Sequence, residues 1–503
     1  MNNSKKYILA IDQSTSSTKV ILFNKGAKLI DRITIAHQQY YPQPGFVEHN
    51  PTEIFINTLE GIKRITTKNK VFPDELAGIA ITNQRETALI WDKETGEAVA
   101  NAAVWQCQRG VGFCNELKEE GFSGMITEKT GLIIDPYFSG SKLHWIIKNT
   151  PGLSSRANNG ELLFGTIDSW LLWNLTGGNV HATDYTNACR TLLFNIHTLA
   201  WDEELIALFG LHRSMFPEVK FSDEIFGYTD PAVVFDIPVP VSGLLGDSHA
   251  ALFGQNCFSS GMGKATYGTG SSVMMNIGGR PLDSPRGLVT SIGYGAGKKI
   301  QYVFEGNIHC TGDTINWLKK ELELIRSADE TEELAVMSGG NNGVYFVPAF
   351  VGLGAPYWDN QARASITGIT RDTTKAHIVR SALESIAYQI KDLICLMENR
   401  EDIELKELRV DGGPTRNDFL MQFQADILNR TVVRSDLEEL SALGSTFMAG
   451  LATGFWADLT EIKSLREPSR FFHPGMGKNE RDKLYDGWQR AVGRTRYDSG
   501  HYQ

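Results

Sequence analysis

Two short hydroxyl-rich turns are the first places in this chain where residue type and spacing could do chemistry. Gln13-Ser14-Thr15-Ser16-Ser17 lies between the apolar runs 7–11 and 20–23, and Gly268-Thr269-Gly270-Ser271-Ser272 lies between 263–267 and 273–275. Each stretch reads as a buried strand, a tight turn and a second strand. Such turns aim backbone N–H groups and small hydroxyls at one point, which suits phosphate. One turn of this kind is common in sheet proteins. Two, opening the two halves of one chain, predict a duplicated nucleotide-gripping fold and an enzyme that handles ATP. Asp12 ends the first strand, where a carboxylate either holds Mg²⁺ through water beside phosphates or caps its own turn. The hydroxyls of Thr15, Ser16 and Ser17 are candidate partners of phosphate oxygens, with Lys19 near enough to assist.

Three further groups carry candidate chemistry. Asp247 follows an apolar run and precedes Ala250-Ala251-Leu252-Phe253, so it reads equally as the N-terminus of a helix and as a general base for a substrate hydroxyl. His249 beside it reads as a buried, hydrogen-bonded histidine. The turn Thr82-Asn83-Gln84-Arg85-Glu86-Thr87 is more polar than a tight turn requires. Arg85 and Glu86 there can grip neighbouring hydroxyls, one donating and the other accepting, or form an exposed ion pair. Asp411-Gly412-Gly413 follows a strand and Asn417 opens the next helix. Paired glycines let backbone approach a flat ligand such as adenine, and Gly312, before a helix bearing Asn316, invites the same reading.

The elements that position these residues repeat. Strands, hairpins and helices follow a similar order before and after residues 250–260, with expected helices at 51–68, 313–325, 375–398 and 418–428. This predicts an α/β protein of two units, 1–253 and 254–503, packed around a cleft. The 503 residues are too many for one ordinary core, and 42% hydrophobic with 21% charged residues fits a globular chain. A net charge of −10 argues against nucleic acid and anionic membrane surfaces as partners. No apolar run is long enough to insert in a membrane. The six cysteines form no CxxC and no metal-ligand spacing. With no signal-peptide pattern, the expectation is a cytoplasmic protein with reduced thiols.

At these residues the chain resembles the FGGY carbohydrate kinases and, within them, the glycerol kinases, over roughly residues 6–495. The resemblance is carried by Pro44-Gly45-Phe46-Val47-Glu48-His49, Ile81-Thr82-Asn83-Gln84-Arg85-Glu86-Thr87, Val104-Trp105-Gln106-Cys107, Thr183-Asp184-Tyr185-Thr186-Asn187-Ala188 and the stretch 348–358. The two family signatures stand at 137–149 and 364–384. The resemblance implies two RNase H-like domains of the actin/hexokinase/Hsp70 type around an ATP cleft, MgATP as phosphoryl donor, a small polyol as acceptor, and a homodimer or homotetramer. Asp247 matches the general base. Arg85, Glu86 and Tyr137 match polyol-binding positions, and Trp105 the aromatic wall of that pocket. Thr15, Ser16, Ser17, Thr269, Gly312, Asn316, Gly413 and Asn417 match nucleotide positions.

Several departures mark this chain. Lys19 stands where the family commonly has Arg, keeping the charge but losing the planar fork, and Asn316 is shorter than the usual Gln. Ser248 replaces a Gln that contacts a terminal glycerol hydroxyl, and Ser272 replaces a Phe that packs on the glycerol carbons. Both changes make room for extra CHOH units, so a four- or five-carbon polyol or ketose stands beside glycerol as the expected substrate. The loop 229–236, where bacterial glycerol kinases bind fructose 1,6-bisphosphate, carries no basic residue. An ATP-switched binding protein is the non-enzymatic alternative, and the polar turn at 82–87 argues against it.

Overall fold

The computed structural model describes residues 5–398, 403–437, 439–465 and 470–498. Two large sheets organise them. The first runs, in spatial order, Ile225–Tyr228, Pro240–Gly246, Leu76–Asn83, Tyr7–Gln13, Ser17–Asn24 and Leu29–Ala36. The second runs Val289–Ala296, Lys299–Ile308, Ser271–Gly278, Met262–Tyr267, Glu407–Asp411, Thr431–Arg434 and Arg470–Phe472. Each sheet opens with a hairpin and adds a third antiparallel strand to it. Two later strands then pair in parallel on the other side of the first strand, and an antiparallel strand closes that edge. This is the duplicated α/β plan expected from the two turns, which occupy equivalent positions in the two sheets.

The apolar run at 8–11 is continuous because both faces of its strand are covered. Leu9 and Ile11 pack with Ile54, Ile62 and Ile65 of the helix Pro51–Asn69. Ile8 and Ala10 point the other way, into a cluster with Leu443, Phe447 and Met448 of the helix Leu440–Thr453, as the two-residue period of a strand requires. Asn50 starts the helix Pro51–Asn69 by accepting from the N–H groups of Thr52 and Glu53, and proline at its first position sacrifices no hydrogen bond.

The helix Leu440–Thr453 comes from the second half of the chain yet packs on the first sheet. It crosses Asp247–Gly254 at backbone contact. A Cβ on Gly444 would lie 1.8 Å from the Ala250 carbonyl oxygen, and one on Gly254 would lie 2.3 Å from that of Leu440. Glycine is what lets the two helices meet, and this crossing ties the halves together beside the cleft. One expected helix is shorter than the sequence suggested. The stretch 313–325 is helical only over Gly312–Lys320. Glu321 and Glu323 would face the negative end of the helix dipole, and Glu323 turns away with φ +52°. Among the described residues no helix is long and apolar enough to cross a membrane. The six cysteines are unpaired, and all but Cys395 are buried.

Candidate active site

Three adjoining cavities line the cleft. One, of about 590 Å³, is walled by Thr15, Arg85, Glu86, Trp105, Tyr137, Asp247, Ser248 and Ser272. A second, of about 610 Å³, holds Asp12, Lys19, Asp411 and Gly413, and shares Ala251 and Thr266 with the first. The third, of about 730 Å³, holds Thr269, Gly312, Asn316 and Asn417, sharing Gly413 and Arg416 with the second and Gly268 with the first. The turn at 268–270 therefore stands where the polar pocket meets the broader cavity, and the Asp12 cavity adjoins both.

The polar pocket is built on buried charge. Thr87 donates its N–H to the Arg85 carbonyl at 2.7 Å, closing a three-residue turn around Glu86, whose φ is +61°. A non-glycine residue held there is strained, and the strain faces Arg85 and Glu86 into the pocket from one turn. The alternative of an exposed ion pair between them does not hold: the two are buried and stand 3.9 Å apart. Each has a better partner instead. Arg85 donates twice to Glu305, at 2.8 and 3.1 Å, and Arg190 donates to Glu86 at 2.6 Å and to Glu305 at 2.8 Å. All four side chains are almost fully buried. Arg85 also stands 3.4 Å from the Asp247 carboxylate. Three carboxylates thus alternate with two guanidiniums, and the chain of charges ends at Asp247. Burial by itself would raise the Glu305 pKa. The guanidiniums of Arg190 and Arg85 overcome that and hold it well below the usual carboxylate range.

Asp247 is the first residue of the helix Asp247–Gly254, with Gly246 as its N-cap. A Cβ on Gly246 would lie 2.6 Å from Cγ of Arg85, so glycine there is what lets the guanidinium pass. One Asp247 oxygen accepts the Ser248 N–H at 2.6 Å. The side chain is still 39% exposed to the cleft, so the helix-terminal and proton-accepting readings are compatible. His249 is fully buried; burial, reinforced by the charge of Arg85, keeps it neutral. Its Nδ1 is 3.4 Å from Arg85 and its Nε2 has no partner. Trp105 and Tyr137 meet edge to face at 5.5 Å, and the indole N–H donates to the Thr15 hydroxyl at 3.0 Å. The aromatic wall is thereby pinned to the first phosphate turn. Ser272 Oγ is buried and has no hydrogen-bond partner among the described residues.

In the second cavity Asp12 is buried, and its pKa is pushed up to about 6 by burial against the opposing pull of Lys19. Lys19 lies 3.5 Å away and is held at 2.6 Å by Glu439, which also takes Arg32 at 2.6 Å. Lys19 is thus anchored between carboxylates rather than free to roam. The donor set fits a divalent cation arriving with a nucleotide. Asp12 offers one carboxylate that burial leaves in need of positive charge. Among the described residues no three His, Cys, Asp or Glu side chains cluster to hold a metal alone. The remaining ligands would be phosphate oxygens and water. Ser16 is exposed at the turn tip and the Ser17 hydroxyl faces that of Ser14 at 3.2 Å; neither lines these three cavities.

Where the second cavity adjoins the broad one, Gly412 has φ +97°, and a Cβ there would lie 2.0 Å from the Tyr267 carbonyl oxygen. The neighbouring Gly413 faces open space. Asn417 caps the helix Asp418–Leu428 by accepting the Leu420 N–H at 2.9 Å and donates to Thr331 at 3.0 Å. Its side chain is therefore engaged structurally at the cavity wall. Asn316 and Thr269 are exposed.

The sequence profile of the N-terminal domain of the FGGY family of carbohydrate kinases matches residues 7–254, and that of the C-terminal domain matches 263–453. The chain belongs to the FGGY family of carbohydrate kinases. Among the relatives of this FGGY kinase, glycerol kinase 2 of Thermotoga maritima is 50% identical, over 97% of this chain and 99% of its own. The glycerol kinase of Carboxydothermus hydrogenoformans is also 50% identical, over 98% and 99%. The crystal structure of Plasmodium falciparum glycerol kinase with ADP superposes with a TM-score of 0.93 at 38% identity, covering 97% of this chain and 98% of that one. A xylulose kinase of Lactobacillus acidophilus shares the fold, with a TM-score of 0.88 at 23% identity over 99% and 100%.

Sequence reasoning missed four charged residues that shape this FGGY kinase's cleft: Arg190, Lys264, Glu305 and Glu439. Glu305 and Lys264 had a readable signal, since each is a lone charge inside an otherwise strand-like run. Arg190 and Glu439 had none, because their partners lie far away in the chain.

Proposed function

We propose that this kinase transfers the γ-phosphoryl group of ATP to a primary hydroxyl of glycerol, giving glycerol 3-phosphate. The observation that carries the reading is the position of Asp247. Its carboxylate opens into the cleft beside the anchored Arg85, in a cavity that also touches both turns at Thr15 and Gly268. The names of relatives at 50% identity support glycerol as the acceptor.

In this reading the chain divides into domains 1–253 and 254–503. Arg85, Glu86, Tyr137 and Ser248 orient the polyol by hydrogen bonds, and Trp105 packs on its carbons. Asp247 accepts the hydroxyl proton as that oxygen attacks phosphorus and the bond to the bridging oxygen of ADP breaks. Thr15, Lys19 and Thr269 hold phosphate oxygens, Ser16 and Ser17 shape the turn that carries Thr15, and Gly312, Asn316, Gly413 and Asn417 border the nucleoside. Asp12 would hold Mg²⁺ through water, and that cation supplies charge neutralisation on the phosphates. Closure of the cleft excludes water and limits ATP hydrolysis. The reading places the protein in the cytoplasm as a homodimer or homotetramer.

One observation favours a second acceptor. Ser272 Oγ is buried in the pocket with no partner, and Ser248 is short, so a longer polyol would bring a hydroxyl to an unmatched group. An ADP-release assay with MgATP against glycerol, erythritol, ribitol, xylitol, D-xylulose and D-ribulose tests both. Highest kcat/KM on glycerol supports the first reading. A clear preference for a longer acceptor replaces glycerol but keeps the kinase, and no turnover on any of them removes both.

A further inference from the structure

Lys264 is a buried cation with no ion pair among the described residues. It sits inside the strand Met262–Tyr267 and is 1% exposed. Among the described residues its Nζ makes no hydrogen bond and no ion pair, and it lines the cavity that holds Asp247. The sheet register shows which way it faces. Lys264 pairs with Met274 and Thr266 with Ser272; on the next strand Met274 pairs with Glu305 and Ser272 with Asn307. Directly opposed residues and alternate residues share a face. Lys264, Thr266, Ser272, Glu305 and Asn307 therefore share one face, with Met274 between Lys264 and Glu305, and it is the cleft face, because Thr266, Ser272 and Asn307 line the same cavity as Lys264.

The carboxylates whose charge acts on Lys264 are Asp411, Asp247 and Glu305, and Arg85 opposes them. None of them pairs directly with Lys264 among the described residues: Glu305 is held by two arginines, Asp247 lies against Arg85, and Asp411 accepts from the neutral Gln255 amide at 2.5 Å, so its charge reaches Lys264 only from a distance. Burial pushes the Lys264 pKa down, and an ammonium left unpaired in such a place is strongly destabilised. A polyol hydroxyl cannot neutralise it. An anion can, and the site faces the space between the proton acceptor Asp247 and the turn at 268–270.

We propose that Lys264 is a catalytic residue whose ammonium binds a non-bridging oxygen of the phosphoryl group in transit and then holds the phosphate monoester product. The assignment rests on the phosphoryl-transfer reading above. In the step, the acceptor O–H proton goes to Asp247 and the new O–P bond forms as the bond to ADP breaks. Lys264 gives up no proton: it neutralises charge on the equatorial oxygens, as a preorganised donor does. Ser272 Oγ, one row along the same face and also without a partner, is placed to donate to the same group or to the acceptor.

The test compares the unmodified kinase with Lys264→Met and Lys264→Arg. Removing one such donor lowers kcat by about 10²- to 10³-fold. The expected result for Lys264→Met is a loss of that size with the glycerol dissociation constant and thermal midpoint retained. Lys264→Arg, which keeps the charge, should fall between it and the unmodified chain. Calorimetric titration should show glycerol 3-phosphate binding weakened at least tenfold in Lys264→Met while glycerol binding holds. A kcat within threefold of the unmodified chain, or equal weakening of glycerol and glycerol 3-phosphate, overturns the assignment. If Lys264→Met does not fold, the decision passes to Lys264→Arg: unchanged selectivity for the phosphate ester supports the role, and lost selectivity with turnover intact overturns it. Absence of turnover in the unmodified kinase counts against the acceptor reading alone, because the phosphate-ester titration judges Lys264 without catalysis.

Discussion

Replacing Glu305 by Gln strikes the group on which the polar pocket is assembled. Glu305 accepts two hydrogen bonds from Arg85 and one from Arg190, all between 2.8 and 3.1 Å and away from water. The amide keeps the shape and one acceptor oxygen but loses the charge and offers a donor to a guanidinium that also donates. Breaking a buried pair by removing one partner costs about 3–5 kcal/mol. Arg190 keeps Glu86, at 2.6 Å, so the lower end applies, and the unmatched charge falls on Arg85. The next carboxylate for Arg85 is Asp247, at 3.4 Å. The guanidinium should close on it and draw the carboxylate away from the acceptor hydroxyl. About 3 kcal/mol corresponds to roughly 10²-fold in kcat/KM. The assay is ADP release with saturating MgATP and varied glycerol, repeated across pH 5–9. We expect kcat/KM to fall about 10²-fold across that range. A loss below threefold refutes the reasoning, as does an effect confined to KM for ATP.

Asp247→Asn should lower kcat by about 10²- to 10⁴-fold with glycerol affinity unchanged, measured by turnover and by calorimetric titration. Gly412→Ala, at φ +97° with its Cβ 2.0 Å from the Tyr267 carbonyl oxygen, must move the strand ends beside the nucleotide cavity, and we expect KM for ATP to rise at least tenfold with the glycerol dissociation constant held. Asp168 is buried between the Thr166 and Thr183 hydroxyls, at 2.5 and 2.6 Å, and burial raises its pKa to about 7. The folded chain then holds a proton that the unfolded chain has lost above about pH 4. This stabilisation is complete below about pH 4 and is lost as pH rises to 7, by an amount on the order of a few kcal/mol. Asp168→Asn should flatten that slope in thermal midpoints taken from pH 4 to 8.

The two turns, the strand at 8–11 and the helices Lys375–Glu398 and Asp418–Leu428 were legible because their signals are local. Alternation, capping and glycine placement are written within a few residues of one another. The end of the helix Gly312–Lys320 was overrun because apolar spacing continues beyond it, while the charge of Glu321 and Glu323 against the helix dipole ends it. Arg85 and Glu86 were recognisable as too polar for a turn, yet their partners were not. Arg190 is 104 residues from Glu86, and Glu305 is 220 from Arg85. A one-dimensional pattern holds no record of such pairs.

What the sequence by itself determined is therefore the duplicated hairpin plan, the family, and the identity of residues such as Asp12, Asp247 and the glycines of both turns. Each of these depends on backbone geometry over a few neighbouring positions. Only the tertiary structure decided how charge is distributed in the cleft. It ties Arg85 to Glu305 across the two halves, anchors Lys19 on Glu439, and leaves Lys264 without an ion pair and Ser272 Oγ without a hydrogen bond, among the described residues, on the cleft face of the second sheet. Whether a polar group is matched or left facing a substrate depends on which distant groups folding brings within about 3 Å of it, and on how much water folding removes.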